Sequence, residues 1–110
     1  MEYLEFIETP VFSKQRSELL DDDSYQKFQA YLLKNHEDGD TISKTGGCKK
    51  IRWGLEGKGK RGGVRVIYYC LTEQGKIYLL LVYSKNRKDD LSEQEKKVLN
   101  QISQMLNRPL

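Results

Sequence analysis

The sequence predicts an α+β domain: a small, mostly antiparallel sheet of about four strands, two N-terminal helices and a C-terminal helix, in the order β-α-α-β-β-β-α. Three observations predict it. Val64–Leu71 (VRVIYYCL) and Lys76–Ser84 (KIYLLLVYS) are nearly continuous β-branched, aromatic and aliphatic runs of strand length. Thr9-Pro10 and Ser92-x-x-Glu95 are helix starts: a hydroxyl to cap, then a proline at the first position or a glutamate that closes a capping box. The chain of 110 residues shows no repeat and no linker composition, so residues 1–110 are expected to form one domain able to bury its own core.

The elements follow in order. Residues 3–8 (YLEFIE) suit a short edge strand. Thr9 and Pro10 open a helix with a modest apolar face of Val11, Phe12, Leu19 and Leu20. Asp21-Asp22-Asp23 breaks it and caps the next, with Asp23 and Gln26 resembling a capping box. Tyr25, Phe28, Leu32 and Tyr31 give that second helix its buried face, and it runs out near Asn35-His36. Residues 37–47 are turn-rich. A short strand at 48–53 precedes the two long ones, and Thr72-Glu73-Gln74-Gly75 joins those as a hairpin in which Gly75 supplies positive φ. The last helix starts at Ser92, carries Val98, Leu99, Ile102, Met105 and Leu106 at helical spacing, and stops at Pro109.

Charge is distributed unevenly. Residues 1–40 hold ten acids and four bases, net −6; residues 41–110 hold six acids and fifteen bases, net +9; together they return the chain's +3. A positive half of this size points to a polyanionic partner, and a phosphate backbone is the commonest. The densest stretch is 46–69, GGCKKIRWGLEGKGKRGGVRVIYY, where seven cations face one acid and seven of the nine glycines collect. Glycine lets backbone approach a ligand closely, and clustered cations attract polyanions. Cys48 and Cys70 have no CxxC or zinc spacing and read as reduced thiols, with a cytoplasmic location expected. No basic-then-apolar leader opens the chain, and no apolar run approaches the ~18–20 residues of a membrane span.

The motifs GG at 46–47, Lys50-Ile51-Arg52, GKGKRGG at 57–63, Arg65-Val66-Ile67-Tyr68-Tyr69, Tyr83-Ser84-Lys85-Asn86 and Asp90-Leu91 resemble the RelE/ParE superfamily of bacterial type II toxins, in particular its HigB-like branch. The resemblance covers essentially the whole chain. It implies a ribosome-dependent endoribonuclease that cuts mRNA in the ribosomal A site. It also implies a cognate antitoxin, usually of helix-turn-helix type, that blocks the toxin and, with it, occupies operator DNA. No metal or cofactor is called for.

RNA cleavage of this kind needs a 2′-OH deprotonated, a phosphate held in line and a 5′-oxygen protonated. A two-histidine pair is excluded, because His36 is the only histidine. Acids lie mostly in the N-terminal half, which leaves a cationic site. Arg65 interrupts an apolar strand, and a guanidinium can clamp two phosphate oxygens; it also aligns with the family's central arginine. An arginine on an exposed strand face, or paired with a helix acid, is the plainer alternative. Lys50 and Arg52 alternate about Ile51 and share one face, either a solvated face or part of the site. Arg52 cannot accept a proton at neutral pH; Lys50 could if neighbouring cations depress its pKa. By the resemblance, Lys85 and Asn86 stand at a late basic element, with Asn86 in place of a frequent arginine. Lys49, Lys58, Lys60 and Arg61 are assigned to phosphate or ribosomal RNA contact, and Tyr68 and Tyr83 to base stacking, with a core role for both tyrosines as the alternative. Trp53 reads as a core anchor. Two further readings stay open: a gyrase-poisoning toxin of the ParE type, and a non-catalytic nucleic-acid-binding or antitoxin-bound module.

Overall fold

The computed structural model describes residues 4–54, 63–84 and 90–108. Its order is β1 (Glu5–Glu8), α1 (Pro10–Leu19), α2 (Asp22–Asn35), β2 (Asp40–Thr41), β3 (Lys49–Trp53), β4 (Val64–Leu71), a short 3-10 turn (Thr72–Gln74), β5 (Lys76–Ser84) and α3 (Glu93–Leu106). The strands form one five-stranded sheet in the order β1-β5-β4-β3-β2. β1 lies parallel to β5, and the other pairings are antiparallel. The expected four strands become five because polar Asp40 and Thr41 pair with Lys50 and Lys49. That segment carries no strand signal of its own; its partner makes it a strand.

The helix starts are made by side chains. Thr9 Oγ1 accepts from the N–H of Phe12 and donates to the carbonyl of Leu80, so one hydroxyl caps α1 and ties it to β5. α2 is capped by Asp21, whose carboxylate accepts from the N–H of Ser24 at 2.7 Å, and not by the expected Asp23–Gln26 pair. Asp22 and Asp23 sit instead in the first turn, where their charge suits the helix N-terminus. At α3 the capping box closes in both directions: Ser92 Oγ accepts from Glu95 N–H, and Glu95 Oε1 from Ser92 N–H. Gly75 turns β4 into β5 at φ 71°.

The sheet divides two cores. On one side α1 and α2 bury Phe12, Leu20, Tyr25, Phe28 and Leu32 against Ile51, Val64, Val66, Tyr68, Ile77, Leu79 and Val82. On the other, α3 packs Leu99 against Cys48, Ile67, Tyr69, Leu80, Tyr83 and Leu91. β5 has one extra residue here: Ile67 of β4 pairs with Leu81 and Tyr68 with Leu79, so Leu80 has no partner across the strand. Both Leu80 and Leu81 then belong to the α3 side, while Leu79 and Val82 belong to the α1–α2 side. A one-residue slip inverts every side chain beyond it. The bulge therefore turns Tyr83 onto the α3 face. Beside it, the N–H of Val82 donates to Gln15 Oε1 of α1 at 3.0 Å.

Candidate functional site

Strand register brings three of the expected cations together. In the β3–β4 pair Arg52 stands directly opposite Arg65, and Lys50 opposite Ile67, so Lys50, Arg52 and Arg65 share the α3 face. Across the other edge of β4, Arg65 pairs with Tyr83. Lys50 Nζ lies 3.5 Å from Asp90 Oδ1, which also accepts from the N–H of Leu91. The Asp90 carboxylate thus fixes a half-buried ammonium at the edge of the face where α3 begins. At the neck of the basic loop the β3 and β4 backbones come close: a Cβ on Gly63 would sit 2.7 Å from the Trp53 carbonyl oxygen, so only glycine fits there.

Burial divides the group. Arg52 is exposed, while Arg65 is only 6% exposed and Tyr83 is equally enclosed. Arg52 and Lys50 are the more accessible members of the cluster, and Arg65 is the buried one. Like charges directly opposite one another in a sheet destabilise it, the more so when one is taken out of water. An anion placed between Arg52 and Arg65 would relieve that repulsion. Tyr83 feels the same environment. Burial pushes its phenol up most, the Asp90 carboxylate adds to that, Arg65 pulls it back down, and Glu95 raises it slightly. The phenol is held as a neutral O–H on which the Asp90 carboxylate and the Arg65 guanidinium act in opposite directions. Chemically the cluster can bind a phosphate, stabilise added negative charge on it and offer protons from Lys50 and Tyr83.

Other expected residues lie elsewhere. Tyr68 is on the α1–α2 side at 0% exposure, its hydroxyl donating to the His36 carbonyl and accepting from the Gly39 N–H. Its assignment to base stacking is corrected: the ring is core, with no face open to a ligand. Lys49 also points to that side, with Nζ 3.3 Å from Thr41 Oγ1 and 3.5 Å from the Gly39 carbonyl, and does not join the cluster. Lys58, Lys60, Arg61, Lys85 and Asn86 fall outside the described residues. Trp53 anchors the core as expected, stacking edge-on against Phe28 and donating to Ser24 Oγ. Cys48 and Cys70 are free thiols. Asp90 as the partner of Lys50 is the element that residue-by-residue chemistry missed, because the two are forty positions apart and meet only through the fold.

Over residues 8–108 the chain matches the model of the family described as RelE toxin of the RelE/RelB toxin–antitoxin system. The chain belongs to the RelE toxin family. Among solved structures it is similar to the free state of E. coli toxin RelE, determined as a double arginine-to-alanine mutant, with a TM-score of 0.56 and 16% identity over 81% of this chain and 90% of that one. That likeness carries the RelE fold: a mixed sheet flanked by helices on both faces. Membership makes the protein a toxin of a type II toxin–antitoxin system, with an antitoxin as its partner. Among the described residues no helix is long and apolar enough to cross a membrane.

Proposed function

We propose that this RelE-family toxin is a ribosome-dependent endoribonuclease that cuts mRNA and halts translation, using the cations of the α3 face. The observation that carries this reading is the juxtaposition of Arg52 and Arg65 as cross-strand partners, one of them buried, with Lys50 on the same face. A fold tolerates such repulsion where a ligand anion offsets it. In the reaction the 2′-oxygen bonds to phosphorus as its proton leaves, and the bond from phosphorus to the 5′-oxygen breaks as that oxygen gains a proton. A 2′,3′-cyclic phosphate and a 5′-hydroxyl result. Arg52 and Arg65 would clamp the phosphate and stabilise its added charge. Lys50, paired with Asp90, and Tyr83, the cross-strand partner of Arg65, are the groups assigned to proton transfer. Lys85 and Asn86 follow β5 in sequence and are assigned to the same site. Lys58, Lys60 and Arg61 are assigned to RNA phosphates outside the reacting centre.

The test is a purified translation system in which transcript 5′ ends are mapped after toxin is added. Cleavage is expected only on ribosome-bound message. Arg52→Ala, a change at an exposed position, and Arg65→Ala should each lower single-turnover cleavage by roughly 10²–10³-fold, the usual cost of losing one charge-stabilising donor. Absence of cleavage with ribosomes present, or full activity in Arg52→Ala, overturns the assignment. Intact message together with trapped gyrase–DNA complexes would transfer the protein to the gyrase-poisoning class.

A further inference from the structure

β5 is apolar on both sides of its bulge. Leu79-Leu80-Leu81-Val82-Tyr83 supplies apolar side chains to both cores with or without the extra residue, so the side-chain pattern does not choose the register. The choice decides where Tyr83 stands. With the bulge it joins the α3 side opposite Arg65; without it Tyr83 would turn to the α1–α2 side. Pairing with β1 does not hold the bulge in place, because that pairing ends at Glu8 and Leu79. Past that point the outer edge of β5 is met by Thr9 and α1.

Three hydrogen bonds read that edge. In a regular strand successive carbonyls point to opposite edges. Here Leu79 and Leu80 present theirs to the same edge, and Thr9 takes both: its N–H donates to Leu79 at 3.1 Å and its hydroxyl to Leu80 at 2.9 Å. Further along, the N–H of Val82 donates to Gln15 Oε1 at 3.0 Å. An unbroken strand that kept the Leu79 carbonyl outward would turn the Val82 N–H toward β4, so this last bond exists only in the bulged register. Gln15 is half-buried, and with Glu18, Leu19 and Ser84 it borders a cleft of about 70 Å³ along the same edge, which leaves β5 room to shift once the bond is lost.

We infer that Gln15 is a positioning residue: its amide oxygen, together with the two bonds from Thr9, locks the bulge that holds Tyr83 at the cation cluster. Thr9 also caps α1, so Gln15 is the member whose loss tests register alone. The effect on cleavage rests on the assignment of Tyr83 to proton transfer; the lock itself does not. Lys50, Arg52 and Arg65 lie on β3 and β4, so phosphate binding is outside its reach.

Gln15→Met keeps the length of the side chain and removes the acceptor, while Gln15→Glu keeps an acceptor. In the full-length toxin, nuclear magnetic resonance reads the register without any nuclease assay. In Gln15→Met the Val82 amide hydrogen should exchange about tenfold faster, and the Overhauser contacts of the Tyr83 ring to methyl groups of the α3-side core should weaken. Single-turnover cleavage at saturating ribosomes should slow by about tenfold, the shift that one lost buried hydrogen bond produces, with the half-saturating ribosome concentration unchanged. Gln15→Glu should recover most of the rate and of the Tyr83 contacts. Unaltered Tyr83 contacts in Gln15→Met overturn the inference. So does a lower urea midpoint with an unchanged saturating rate, the mark of a merely structural residue, and so does a Gln15→Glu that loses as much as Gln15→Met. If Tyr83 leaves the α3 side in Gln15→Met while the unaltered protein cuts no message, the lock stands and only the enzymatic reading fails.

Discussion

Tyr68 and Tyr69 are neighbours in sequence and belong to opposite halves of the molecule. Strand alternation sends Tyr68 to the α1–α2 core and Tyr69 to the α3 core. Nothing in VRVIYYCL says which tyrosine faces which helix layer, because a strand buried on both sides shows no polar alternation. This is why Tyr68 reads from sequence as a stacking candidate and proves to be a core residue. The same ambiguity hid the burial of Arg65, whose neighbours on both sides are apolar. By contrast, the common face of Lys50 and Arg52 was legible, since two cations straddling Ile51 share a side whichever side that is; Arg65 joins them only through the register of β3 and β4. Tyr68 has a measurable structural role. Its hydroxyl links the His36 carbonyl, at the end of α2, to the buried Gly39 N–H. Tyr68→Phe leaves both groups without that partner and is expected to cost ~1–3 kcal/mol in urea unfolding. Cleavage by the folded protein should be unaltered; a variant of full stability that has lost cleavage would return Tyr68 to the site.

At the scale of elements, local chemistry that depends on a few adjacent residues was readable and chemistry that depends on pairing was not. β4 and β5 occupy the spans their apolar runs mark. Thr9 and Ser92 cap as their sequence contexts require. The N-cap of α2 was misplaced by two positions because three consecutive aspartates offer equivalent caps, and the choice falls to the register that buries Tyr25, Phe28 and Leu32. β2 and the bulge at Leu80 exist only through their partner strands. The bulge matters most for the site, since an unbroken β5 would put Tyr83 on the α1–α2 side. α3 offers the cleanest test of local chemistry. Its capping box fixes the turn that carries Glu95, whose carboxylate acts electrostatically on the Tyr83 phenol. Ser92→Ala removes the acceptor for Glu95 N–H and is expected to cost about 1 kcal/mol, read as a lower urea midpoint. Unchanged stability would mean that packing of Leu91 and Leu99 alone holds the turn.

For the whole molecule the sheet acts as a partition. The acid-rich N-terminal segment builds α1 and α2 on one face, and the cation cluster opens on the other, so the charge asymmetry of the sequence becomes a polarity of the fold. Ion pairs such as Arg16–Asp22 and Lys27–Asp23 have at least one well-exposed member and add little stability. The two apolar cores therefore dominate, and the titratable groups most tightly linked to folding are neutral hydroxyls and thiols within them. Tyr68 is pushed up from 10.0 to about 12, chiefly by burial. Cys70 rises from 9.0 to about 11, again chiefly by burial, with Lys49 opposing and Glu37 adding. In the unfolded chain these groups lose their protons at their ordinary values, while the folded chain still holds them. The unfolded state then binds fewer protons, so stability falls as pH rises. Below pH 9.0 the contribution is intact; it should decline from there through about 12, Cys70 first and Tyr68 after it. Urea midpoints should be level from about pH 7 to about pH 8.5 and drop steadily above. Cys70→Ala should make that decline shallower, with the onset still near 9.0, because burial also raises the Cys48 thiol from that value. A midpoint that stays constant up to about pH 11 would mean that the two groups titrate alike folded and unfolded, and that the α1–α2 core admits solvent at its His36 end.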